Sequence, residues 1–462
     1  MKKLQRRTIA ILLCLTMAAM MFGCSAPAED NTPSEPDSNG QTGDGEVQEL
    51  TFWFWGCSAE QQEAFQRTLV DPFNEKYPQY HMTVEHRNTV NKDVAVAMAA
   101  NEGPDIIYES SPALALEYIA AGKYLNLDEY AEQFGWKDRI IGCMYDSGCV
   151  DGSLYDLAMG MNVIGIVYNK DVLEEHGWSV PTTMDELIAI MDEALELGMY
   201  ASATGNKGWQ ATNEDYTSLF LTAFAGPEAT YEALVGETPW TDERIVHAIE
   251  TSAEWYQKGY LCSDYLSVDW SDAAMLLAEG RTPFFFGPYK FIQNLPLYAV
   301  GDMEDSFGFA PFPSEDPNEP SYYTIGATGT LAINANSKNP DGAALFLDMM
   351  LSNEFVHDIV TDWPGYWAVP VTTLNEVDTS DLSGLPKSFL EAVQEAIASL
   401  DAGNFGYYNS SYMPAQTFNL LYTGIEAVWM GEQTAESLLQ EMDEVFQEEM
   451  ASGSMPIVPQ QG

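Results

Sequence analysis

An apolar and aromatic run, Leu50-Thr51-Phe52-Trp53-Phe54-Trp55, is stopped by Gly56 and followed at once by a helix-start signal. A run of that length bounded by a breaker reads as a buried strand. Ser58 with Gln61 forms a capping box opening a helix that carries Ala64, Phe65 and Leu69. Residues 80–86 alternate Tyr80, Met82, Val84 and His86 as a strand does, and a second helix spans 90–100. Gly103-Pro104 then leads into the strand Asp105-Ile106-Ile107-Tyr108. Strand, helix, strand, helix, strand with short links is the opening of a doubly wound α/β sheet. Ligands of such sheets sit beyond the carboxyl ends of the strands. That rule selects Trp55, Gly56 and Cys57 after the first strand, and Glu109 and Ser110 after the third.

The same pattern restarts further on. Small and flexible residues, Ala158-Met159-Gly160-Met161-Asn162, separate 154–157 from a second buried strand, 163–168. Thr183 with Glu186 then caps a helix whose Leu187, Ile190, Met191, Ala194 and Leu195 share one face. The body, residues 49–455, is too long for one ordinary core, so a hinge near 158–162 predicts a second lobe.

Ahead of the body, Lys2, Lys3, Arg6 and Arg7 precede an apolar stretch from Ile9 to Phe22, ending at Gly23-Cys24. These are the parts of an export leader, too short for a span that needs about 20 apolar residues. Met21-Phe22-Gly23-Cys24 resembles the lipobox of bacterial lipoproteins, although that pattern usually has Leu and a small residue where Met21 and Phe22 stand. The resemblance implies removal of residues 1–23 and lipidation of Cys24. An ordinary secretory signal with Cys24 incidental is the alternative. Residues 24–48 are rich in Pro, Ser, Gly and acids, which cannot offset ordering entropy by burial. They read as a tether with a random-coil reach of roughly 25 Å.

The charge of −51 argues against nucleic acid, because too little positive charge is available to replace phosphate counterions. Anionic membranes and acidic substrates are disfavoured for the same reason. Loss of the leader leaves 15 Lys and Arg against 70 acids, an excess that solubility alone explains. Cys14 leaves with the leader, and Cys57, Cys143, Cys149 and Cys262 remain in the body. Cys143 and Cys149 could pair in an oxidising compartment or stay buried thiols, and no Cys/His cluster suggests a metal.

The segments LTFWFWG, DPFNEKYP, GPDIIYES and AAGKYLNLDEY, continuing through GSLYDLAMGMNVIGIVYNKDVLEEHGWSVPTTMDEL, AEGRTPFFFGPYK, FGFAPFP and GTLAINANSKNPDGAALFLDMMLS, run over nearly the whole body. Their order resembles the extracellular solute-binding proteins of ABC importers, in the branch of maltose- and multiple-sugar-binding proteins. The resemblance implies a two-lobed α/β fold of the periplasmic-binding-protein type II, with doubly wound sheets joined by hinge crossovers. It places the crossovers near 158–162, 281–284 and 334–340. The first lobe is then 49–160 plus 283–335, the second 161–282 plus 336–455, and 456–462 a tail. It further implies a carbohydrate captured between the lobes and delivered to the transmembrane subunits of a permease. The protein would be a lipid-anchored monomer on the outer face of the cytoplasmic membrane, without a cofactor or catalysis.

A sugar presents C–H faces and hydroxyls, so its site needs flat aromatics together with amides or carboxylates. Aromatics beside Gly, Pro or Asn fall in loops, where ligand contact competes with packing. Trp209, Tyr289, Trp363, Tyr366, Trp367 and Tyr407-Tyr408 qualify. By resemblance Tyr289 stands where sugar-binding relatives often carry a stacking Trp, and Trp209 and Trp367 match aromatic loop positions of the second lobe. The polar set is Glu60, Glu109, Asn162 and Asp215. Gly326 and Gly329 either let backbone approach the ligand or form a tight turn.

Other classes find little support. No GxSxG, HExxH or P-loop occurs, and His81–His86 is one residue too long for an inverted zinc motif. A glycoside hydrolase would need two carboxylates about 5–10 Å apart, a spacing that sequence does not measure. A peptide, a polyamine or a chelated metal is the rival ligand, the acid excess suiting a polyamine. An adhesin without a transporter is disfavoured by the importer-type segments.

Overall fold

The computed structural model describes residues 47–461 except 209, 263, 300 and 454. The leader, Cys24 and all of the tether before residue 47 lie outside the described residues, as does Trp209. The eight main strands are β1 (Gln48–Trp55), β2 (Tyr80–Arg87), β3 (Ile106–Glu109), β4 (Asp156–Asn169), β5 (Phe284–Pro288), β6 (Phe307–Ala310), β7 (Tyr323–Ile333) and β8 (Phe405–Tyr407).

In β1 the buried Leu50, Phe52 and Phe54 alternate with half-exposed Thr51, Trp53 and Trp55. Phe54 stacks on Phe65 of the following helix at 5.6 Å, and Phe52 meets Phe346 edge-on at 6.2 Å. The helix Ala59–Phe65 starts at the expected capping box, Ser58 with Gln61. The helix Met184–Glu196 does the same at Thr183 with Glu186 and buries Leu187, Ile190, Met191 and Ala194. β1 lies between β2 and β3, parallel to both. β3 runs antiparallel to β7, from Ile106 opposite Ile333 to Glu109 opposite Thr330.

Two long strands join the halves. β4 pairs with β7 from Asp156 opposite Ala332 to Ile164 opposite Thr324, slipping register between Ala158 and Met161. Beyond the slip β4 takes β5 and β6 as partners, while β7 takes β8. One half is therefore β2-β1-β3-β7-β4 and the other β8-β7-β4-β5, with β6 also on β4. Sharing two continuous strands makes Glu46–Gly462 one compact unit. The expected break at 158–162 is thus a bulge inside an unbroken strand. At Gly160 an added Cβ would sit 3.3 Å from the Ala368 carbonyl, and the Met161 amide bonds that carbonyl at 2.7 Å.

Strand pairing corrects the expected lobe boundaries. Residues 284–288 and 307–310 pair with the second stretch of β4, so 283–326 is built onto the second half rather than the first. Conversely, the helix Pro340–Met350 packs Gly342 against Tyr80 and Leu50, and Phe346 against Phe52 and Phe73, in the first half. The crossings after β4 fall at 327–329 within β7 and beyond Thr372, whose amide still bonds Arg139. The reason is physical: an FFF strand looks the same from either edge, and only its partner decides the lobe. Gly326 and Gly329 also lie inside β7 rather than in a turn. All four described cysteines are free, Cys143 and Cys149 included.

Candidate functional site

A cavity of about 890 Å³ opens between the halves, at the upper end of the roughly 300–1,000 Å³ typical of small-molecule sites. The carboxyl end of β1 supplies Trp55, Gly56 and Cys57, and the following helix start supplies Ser58 and Gln61. The end of β3 supplies Tyr108 and Ser110, the loop after the helix Asn353–Asp362 supplies Tyr366, and Thr328 lies at the crossing. From the second half come Glu214, Trp270, Lys290, Gln293, Tyr408, Phe418 and Tyr422. Rings thus face the cavity from both halves. Trp55 and Tyr366 pack at 5.2 Å, and Trp363 stacks behind Tyr366 at 4.8 Å.

Charge inside the cavity is balanced locally. Lys207 bridges Asp269 at 3.0 Å and Asp272 at 3.1 Å. Burial lowers the pKa of the Lys290 amine, and Asp215 and Glu214 beside it act the other way. Asp215 itself is held well above the usual carboxylate range, mainly by burial. Burial also pushes the Cys57 thiol up to about 12, although its sulfur lies 3.3 Å from His86 Nδ1, so it is no ready nucleophile. Among the described residues no group of three or more acidic, His or Cys side chains could hold a metal.

Hydrogen bonds tie the halves at the cavity margin. The Gln293 Oε1 accepts from Gln61 Nε2 and from Trp363 Nε1, each at 3.1 Å. The Ser111 hydroxyl donates to the Ser410 carbonyl at 2.5 Å.

Of the residues selected from sequence, Trp55, Gly56, Cys57, Ser110, Tyr366 and Tyr408 line the cavity. Among the described residues Glu60, Glu109, Asn162, Asp215, Tyr289, Gly326, Trp363, Trp367 and Tyr407 do not, and Trp209 lies outside the described residues. Glu60 is exposed on the outer side of its helix, and its neighbour Gln61 lines the cavity instead. Glu109 is buried behind Ser110, Asn162 is buried within β4, and Asp215 lies fully buried behind Glu214. Tyr289 stacks on Phe309 at 4.4 Å and bonds Ser388, leaving Lys290 at the surface of the site. Trp367 is sandwiched against Phe65 at 5.2 Å, with its neighbour Tyr366 turned to the cavity. Tyr407 donates to the Pro459 carbonyl, whereas Tyr408 lines the site. Trp363 supports the wall from behind, and Gly326 packs against Tyr408 and Ser411. Sequence reasoning missed Tyr108, Trp270, Phe418 and Tyr422 because each sits in an apolar or helical pattern that reads as core.

The fold defines a class: a two-halved binding protein with its site at the junction. Residues 58–356 match the family of bacterial extracellular solute-binding proteins, and the chain belongs to that family. Among similar proteins, the alpha-glucosides-binding periplasmic protein AglE of Rhizobium meliloti is 24% identical over 74% of this chain and 73% of its own length. The osmoprotective compounds-binding protein GgtB of Synechocystis is 24% identical over 42% of this chain and 47% of its own. Among solved structures, a chitin oligosaccharide binding protein superposes with a TM-score of 0.75 at 20% identity, covering 88% of this chain and all of that one. A solute-binding protein from Thermotoga lettingae bound with alpha-D-tagatose gives 0.69 at 16% identity, covering 87% and 99%.

Proposed function

We propose that this protein is the extracellular receptor of an ABC importer, holding a carbohydrate, most naturally an oligosaccharide, between its halves. The observation that carries the reading is the cavity itself, ringed by Trp55, Tyr108 and Tyr366 on one side and Trp270, Tyr408, Phe418 and Tyr422 on the other. Flat rings suit the C–H faces of pyranoses, and the amides and hydroxyls of Gln61, Gln293, Asn294 and Ser110 suit their hydroxyl groups. Relatives and structural neighbours named as sugar binders support the same class.

Contacts from both halves exist only when the halves are together, so ligand shifts the population toward closure. Hinge closure around a ligand is the general mode of motion of periplasmic binding proteins. The closed form would be what the permease reads, and a lipid on Cys24 would keep the monomer beside it. A polyamine is the rival, favoured by the carboxylates of Glu214 and Asp269. Each of these has a lysine beside it, Lys290 and Lys207, which leaves little net charge for a polycation.

Mass spectrometry of ligand carried through gentle purification, followed by thermal shift over a glycan panel, tests the proposal. A bound saccharide, a raised melting temperature and a changed tryptophan emission are expected. A polyamine or peptide in the site, with no response to any glycan, would refute it.

A further inference from the structure

Behind the cavity, on one face of the sheet in the first half, four polar side chains each carry a buried oxygen without a protein hydrogen bond. Directly opposed residues on neighbouring strands project from the same face. Glu109, Thr330 and Ala158 therefore form one row, and Ile107, Ala332 and Asp156 the next. The two alanines, Ala158 and Ala332, put no bulky side chain of β4 or β7 between Glu109 and Asp156. Tyr124 bridges Asn334, two positions further along β7 on that same face. Glu109 Oε1, Asp156 Oδ1, Thr330 Oγ1 and the Tyr124 hydroxyl are all buried and none has a protein hydrogen bond. Each of these residues is at most 3% exposed.

Two carboxylates in such a place must be protonated or compensated. Only burial and the charge of Glu109 act on Asp156, both in the direction that disfavours ionisation. The donors are all hard oxygen: two carboxylates, a phenol and an alcohol. Oxygen sets of this kind suit calcium better than any softer metal.

We propose that Glu109, Asp156, Tyr124 and Thr330 form a buried site for a hard cation, calcium being the probe, at the root of the crossing strands. The site is separate from the ligand cavity, since none of the four lines it except through the neighbours Tyr108 and Ser110. It stands whatever the cavity binds. Thr330 opposite Ala158 is the last regular pair before the register slip, so a cation there braces the strands where they leave the first half. Affinity in the range of extracellular calcium modules, about 10⁻⁴–10⁻³ M, is expected.

The test uses the full body stripped with chelator. Calcium titration should raise the melting temperature saturably, and terbium should show tyrosine-sensitised emission that calcium displaces. Asp156→Asn should weaken the calcium constant at least about tenfold, and Tyr124→Phe should remove the terbium signal while the variant stays folded. Equal thermal shifts in wild type and Asp156→Asn would mean screening of surface acids and would overturn the site. So would the absence of saturable calcium or terbium binding to the wild type.

Discussion

At the scale of single residues, neighbours in the chain divide between cavity and core. Tyr366 faces the site while Trp367 is pressed between rings; Tyr408 faces it while Tyr407 reaches the C-terminal tail. Adjacent side chains leave the backbone in different directions, whether at the end of β8, as with Tyr407, or in a turn, as with Tyr366. Composition and loop context identify the dipeptide but not its phase, which depends on the partner strand. The sequence therefore picks out Tyr366 with Trp367 and Tyr407 with Tyr408 without telling which of each pair lines the cavity, and it picks out Tyr289 where Lys290 lines it. Two substitutions of one residue type separate the roles. Trp55→Ala should weaken glycan binding by about 1–3 kcal/mol with a smaller loss of stability. Trp367→Ala should cost about 3–5 kcal/mol in denaturant unfolding, by opening a cavity among Phe65, Phe54 and Phe355. Gly326→Ala would place a methyl 2.7 Å from Tyr408 Cβ and 2.4 Å from the Ser411 hydroxyl oxygen. Overpacking of about 1–3 kcal/mol and a lower glycan affinity are expected, read by denaturation and titration together.

Among elements, local signals carried far. Ser58 and Thr183 begin their helices at the residues their capping boxes name, and β1, β2 and β3 fall where alternation and apolar runs put them. What sequence did not reveal is partnership across the chain. β4 and β7 serve both halves, and β5 and β6 join the second half because β4 offers them a free edge after its register slip. The acid pair beside that slip makes an element-scale prediction. Glu109 has its pKa raised from 4.5 to about 8, so its stabilising protonated state is complete below about 4.5 and lost as pH rises through about 8. Asp156 is shifted in the same direction. In chelator, stability should fall between those limits, and Glu109→Gln should flatten the fall. Melting curves across pH check this; a wild-type stability that rises over that window would be the wrong sign.

For the whole molecule, the two strands shared by the halves can bend where their ladder is irregular, at 158–161 and 327–330, and the third crossing lies beyond Thr372. The bonds from Gln61, Trp363 and Ser111 to the opposite half mark surfaces that such a motion would part. Micromolar affinity, about −8 kcal/mol, would allow capture followed by release. Calorimetric titration of an oligosaccharide panel into wild type and Trp55→Ala is the most direct measurement. One-site saturation by at least one glycan, weakened about tenfold or more by the substitution, is the predicted result. Saturable binding that ignores the loss of Trp55, or no saturable heat from any glycan, would contradict a carbohydrate held between the halves.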